Sequence, residues 1–248
     1  LWTDEAVRVL AARQASWFDT LRAAWAQPPS APLYWLGLHW WITLFGHGDV
    51  TVRLFSVLPS AGAVPAIYAL GRSLGGNRPS SNAVGLVSAL LLAVSPFAVE
   101  VGEEATMYAW TMLFATLAVW TALTYLREGR DKWPYVACMV LLLYTHYIGS
   151  LLVAVFFLAG LIWLRRKNAT GLPRASTRNW VIVHLLATVA WTPWLVAMGV
   201  RLVQRWDELS HLQHRAGLAD LHLLASYLTV SASATAAWPW AVTLAGIL

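Results

Sequence analysis

The chain has 248 residues, 58% of them hydrophobic and only 12% charged, with a formal net charge of +5 and a mean hydropathy of +0.57. Soluble domains carry about 25% charged residues, so this composition cannot cover a water-facing surface and excludes a soluble globular protein. The basic residues fall in short tracts between apolar runs, the pattern of loops flanking membrane spans and not of a nucleic-acid groove.

Residues 3–26 read as one amphipathic helix. Val7, Leu10, Phe18, Leu21 and Trp25 form its apolar stripe, and Glu5, Arg8, Arg13, Asp19 and Arg22 keep the other side wet. Such a helix lies in the interface plane. The Pro-rich stretch 27–32 breaks it, and residues 33–45 are apolar but short, suiting a re-entrant or interfacial helix rich in belt aromatics. Spans are expected at 50–70, 83–99 and 107–126. The apolar run 133–164 divides at Thr145-His146-Tyr147 into a hairpin of two short spans, and 180–200 crosses again. Residues 201–233 form a polar segment. The expected fold is an all-α polytopic transmembrane bundle with interfacial helices on its outer side, because lipid leaves open backbone without partners. Cys138, the single cysteine, sits in an apolar run and allows no disulfide framework. The chain opens on Leu1 and stops within the apolar residues 236–248, so it reads as a fragment lacking at least one upstream span.

Sidedness follows from the basic residues. Segment 71–82 holds two Lys or Arg, 127–132 three and 165–178 five, ten of the 17 in the chain. If these loops are cytoplasmic, even numbers of crossings separate them and the layout is self-consistent. Only Glu128 and Asp131 of the 12 acids fall there, which leaves the outer face with the carboxylates, histidines and aromatics that chemistry needs.

Three constellations stand out on that face. Thr3-Asp4-Glu5 is either a capped helix start with acids complementing the dipole or a general base with an acidic neighbour. Residues 95–108 crowd Glu100, Glu103 and Glu104 between a span ending at Pro96 and one beginning at Met107; a solvated turn explains the last two acids better than the first. His146, flanked by Tyr144 and Tyr147, is either a belt residue or a substrate contact, the default for ionisable groups at membrane depth. Arg53 either snorkels or binds a phosphate. Arg201, Arg205, His211, His214 and Arg215 form a looser basic group that includes a solvated face. His184 reads as packing.

In order, these segments resemble the GT-C glycosyltransferases, specifically the family 39 group of protein O-mannosyltransferases and aminoarabinose transferases, in its bacterial form. The matching pieces are Leu1-Trp2-Thr3-Asp4-Glu5-Ala6, Gln27-Pro28-Pro29 with Pro32-Leu33-Tyr34-Trp35, Val52-Arg53-Leu54 with Pro59-Ser60, the stretch 95–108, and Leu143-Tyr144-Thr145-His146-Tyr147. The resemblance covers about residues 1–165 in order and, more weakly, 226–248.

It implies a sugar moved from a polyprenyl phosphate to a lipid, glycan or protein acceptor at the outer face of the inner (plasma) membrane, with inversion. Asp4 would be the base and Glu5 an orienting group or metal contact. Arg53 would meet the phosphate, and Glu103, Glu104, Tyr108, His146, Tyr147 and Arg205 would line the substrate site. No cofactor is fixed, although room is left for a divalent cation, and nucleic acid is not an expected partner. The transmembrane glycosyltransferase domain would fill residues 1–248. It divides into an outer loop with interfacial helices (1–49), transmembrane helices (50–200), an outer loop (201–236) and the start of a further span (237–248).

Two positions depart from the family pattern: Gln27 stands where a His often precedes the prolines, and Thr106 where an Arg often precedes Met-Tyr. The second removes a cation, so the carrier phosphate would depend on Arg53 or on the group at 201–215. Two other readings are a transporter or flippase for a lipid-linked sugar and a family member that binds the carrier without catalysis. Transporters usually show paired repeats with helices broken at the midplane; no repeat is found, and the acids gather in loops.

Overall fold

A computed structural model describes residues 3–26, 31–76, 78–129, 131–168 and 176–204. Among them every regular element is a helix: α1 (Thr3–Ala12), α2 (Trp17–Trp25), α3 (Pro32–Phe45), α4 (Asp49–Gly75), α5 (Ser81–Ala93), α6 (Pro96–Glu103), α7 (Tyr108–Glu128), α8 (Trp133–Thr145), α9 (Ile148–Asn168) and α10 (Thr177–Gln204). The fold is an all-α bundle. Helices α4, α7, α9 and α10 are long and apolar enough to cross a membrane, while α8 is apolar but shorter.

The expected span at 83–99 is corrected to a broken one. Helices α5 and α6 pass as a crossing only together, and they meet at 56°. Pro96 cannot donate a backbone hydrogen bond, so the helix restarts there, with Ser95 Oγ accepting the Ala98 N–H at 3.4 Å. The start of the chain is corrected too. Residues 3–26 form two helices, because the Ser16 side chain caps a new helix by accepting the Asp19 N–H at 3.2 Å.

One residue of the expected wet side of these two helices is buried. Glu5 is 2% exposed, whereas Leu10 is 62% and Phe18 50% exposed. The small residues Ala11, Ala12 and Ala24 face inward, so α1 and α2 lie close against α3. His39 of α3 fixes the corner between them. Its Nδ1–H is shared between the Ala12 carbonyl at 2.9 Å and Thr20 Oγ1 at 3.0 Å.

Helices α4 and α5 pack through small residues, the membrane solution when apolar side chains gain nothing from leaving lipid. A Cβ on Gly85 would lie 2.8 Å from the Tyr68 carbonyl, so only glycine allows this approach. Helices α7, α8 and α10 close around a buried aromatic group. The Tyr135 ring stacks on Trp180 at 5.2 Å. His184 donates its Nδ1–H to the Trp180 carbonyl at 2.9 Å, which leaves Nε2 to accept the Tyr135 hydroxyl at 3.1 Å. His184 therefore packs, as its place near a span end suggested.

Candidate active site

The start of α4 and the connection from α6 to α7 build one end of the bundle. Arg53, Ser56 and Ser60 recur at helical spacing on α4, so they share a face. Ser56 Oγ donates to the Thr106 carbonyl and Ser60 Oγ to the Ala98 carbonyl, each at 3.1 Å. The Ser56 hydroxyl holds the irregular stretch 104–107 against α4, and the Ser60 hydroxyl does the same for α6. Its backbone then offers the Ala105 N–H to Glu5.

Glu5 is the centre of this end. Its Oε1 accepts the Ala105 N–H at 2.8 Å, and its Oε2 lies 3.4 Å from Arg53 Nη2. One buried carboxylate thus ties α1 to α4 and to the α6–α7 connection. A buried charge requires such compensation, and here a cation and a backbone donor supply it. Asp4 is the second residue of α1; its side chain lies outside the described residues.

His146 sits between α8 and α9, 3% exposed. Its ring lies 5.4 Å from that of Tyr108 and 4.3 Å from that of Tyr147. Nδ1 accepts the Ile148 N–H at 3.0 Å, which places the proton of the neutral ring on Nε2. Burial, and secondarily the Arg8 guanidinium, push the His146 pKa down to about 4. The same guanidinium acts on Tyr34, which also feels the Glu5 charge. Arg8, assigned from sequence to the wet side, is therefore part of this cluster. The signal that would have found it is its spacing of four from Asp4.

Beneath the cluster is an apolar cavity of about 230 Å³, walled by Tyr34, Gly37, Phe55, Trp110, Leu141 and Thr145. Of the other sequence-chosen residues, Tyr108 and Tyr147 are each 44% exposed. Glu104 is half-buried at the end of α6. Glu103 is exposed and turns to a separate cleft of about 390 Å³ between α4, α5 and α6, beside Ser60 and Gly102. The structure thus gathers Glu5, Arg53, Tyr108 and His146 at one end and sets Glu103 apart. Arg205, His211, His214 and Arg215 lie outside the described residues. Among those described, no group of three or more His, Cys, Asp or Glu could hold a metal ion.

Thr106, the departure from the family's Arg, is 4% exposed, and its Oγ1 has no hydrogen-bond partner. Arg53 Nε is likewise buried without one.

The described residues form an all-helical bundle with membrane-length helices and an ion pair between buried Glu5 and partly exposed Arg53 at one end, and the family comparison makes the chain a membrane glycosyltransferase of the GT-C type. Residues 27–197 match the family described as dolichyl-phosphate-mannose-protein mannosyltransferase, more than half of the chain, and the protein belongs to that family. The matched region includes Arg53, Tyr108 and His146 but begins after Asp4 and Glu5. No curated protein and no solved structure gave a match.

Proposed function

We propose that this protein transfers a sugar from a polyprenyl-phosphate carrier to an acceptor hydroxyl at the outer face of the inner (plasma) membrane, with inversion. Within the GT-C enzymes, the ordered motifs of residues 1–165 favour the family 39 group in its bacterial form. The acceptor oxygen attacks the anomeric carbon and yields its proton to Asp4. The bond from that carbon to the phosphate oxygen breaks, and its electron pair leaves with the carrier phosphate. A hydroxyl is a weak nucleophile, so a carboxylate base is required; the leaving phosphate requires fixed cations.

The observation that carries this reading is Glu5, held by Ala105 and Arg53 next to Asp4 in sequence. It supports Glu5 as the orienting group, which leaves the base role to Asp4. Arg53 and Arg8 are the phosphate contacts, and Arg8 offsets the cation missing at Thr106. The neutral His146 serves the pocket as a donor through Nε2–H, with Tyr108 and Tyr147 beside it.

Asp4→Asn tests the assignment. It should leave folding and carrier-lipid binding unchanged and lower transfer by about 100- to 10,000-fold, the usual range for loss of a general base. Transfer equal to wild type would remove Asp4 from that role. Movement of sugar-lipid across vesicles without an acceptor would favour a transporter instead.

A further inference from the structure

The opposite end of the bundle carries a second polar cavity that the transfer reaction leaves unused. It measures about 390 Å³ and lies where α4 and α7 end, lined by Tyr68, Arg72 and Gly76 from the first helix and Trp120, Thr124 and Glu128 from the second. Arg72 follows Arg53 by 19 positions on the same helix, about 28 Å along its axis at 1.5 Å per residue. That is close to the hydrocarbon thickness of a bilayer, about 30 Å, so the cavity and the Glu5 cluster occupy opposite headgroup layers.

Hydrogen bonds tie the two walls together. Ser73 joins the two helices, its hydroxyl oxygen accepting Trp120 Nε1–H at 3.1 Å and its carbonyl accepting Arg127 Nη1–H at 3.0 Å. Both signs of charge line the space. Arg72 offers a guanidinium fork for a phosphodiester. Glu128 is an anion, and the ends of two helices add partially negative carbonyls, which favour a cation. Trp120 and Tyr68 are the aromatic types that settle at the headgroup level.

We infer that this cavity binds the headgroup of a zwitterionic phospholipid carrying a primary ammonium, phosphatidylethanolamine in kind, with its phosphate at Arg72 and its ammonium at Glu128. An anionic headgroup without the amine would set negative charge against Glu128 and the helix ends. A trimethylated amine would lack the N–H donors that a carboxylate accepts.

Native mass spectrometry of the purified full chain with phosphatidylethanolamine, phosphatidylglycerol and phosphatidylcholine of matched acyl chains tests the proposal. Ethanolamine-lipid adducts should exceed glycerol-lipid adducts by about fivefold, the scale of one charge interaction at a membrane surface, with the choline lipid weaker than the ethanolamine lipid. Glu128→Gln should abolish the preference for the ethanolamine lipid while adducts persist, and Arg72→Gln should reduce adducts of all three. Equal binding of the three lipids by wild type would overturn the site, whatever the variants do. Soluble glycerophosphoethanolamine binding as well as the lipid would overturn the lipid as its occupant.

Discussion

Glu5 and Ala105, a hundred positions apart, meet in a 2.8 Å hydrogen bond from backbone N–H to carboxylate. The bond closes the first helix onto the connection between α6 and α7, while Arg53 meets the other carboxylate oxygen. Substitutions at Glu5 should therefore separate geometry from charge. Glu5→Gln keeps an acceptor for Ala105 and should cost about 1 kcal/mol; Glu5→Ala strands a buried N–H and an arginine and should cost about 3 kcal/mol. Thermal unfolding in detergent measures both. Equal losses would mean that the acceptor is not what matters.

His146 gives a pH prediction. Its pKa is lowered from 6.5 to about 4 in the folded protein, so the unfolded chain binds this proton more readily. Stability should rise with pH between those values, level off above 6.5, and be lost as the pH falls through the window. His146→Asn should remove this component, seen as a flatter plot of thermal midpoint against pH. Parallel plots for wild type and variant would show that His146 is not the linked group.

Gly85→Ala should force α4 and α5 apart, because the new methyl would meet the Tyr68 carbonyl at 2.8 Å. Backbone cannot rotate away as a side chain can, and overpacking of this kind costs about 1–3 kcal/mol. A lower unfolding midpoint is expected. An unchanged one would mean that the helices do not approach this closely.

Tyr135→Phe removes the hydroxyl that satisfies His184 Nε2. The stranded acceptor should cost about 1–3 kcal/mol, read as reduced thermal stability. Transfer at permissive temperature should stay at the wild-type level, since the group belongs to the α7–α8–α10 core. A selective loss of transfer with stability intact would give His184 a functional part.

Much of this was legible in sequence. Hydropathy is a property of composition over a window, so the spans at α4, α7, α9 and α10 and the hairpin break at His146 could be read before any packing was known. The Ser16-to-Asp19 cap is local chemistry and is legible as well, although the apolar periodicity runs through it without a break.

What tertiary structure decided was which side of α1 faces inward. The charge pattern put Glu5 on the wet side of this helix, yet it is buried together with Val9 and Ala12. A carboxylate can leave water only where a donor and a cation meet it, and Ala105 and Arg53 reach it from distant parts of the chain. Arg8 was missed for the same reason: its surroundings, not its own polarity, bring it beside His146 and Tyr34. The sequence alone determined a membrane-spanning helical protein and the types of polar residue it carries; only the folded chain decided which of their side chains are buried together, because desolvation depends on partners that no local window contains.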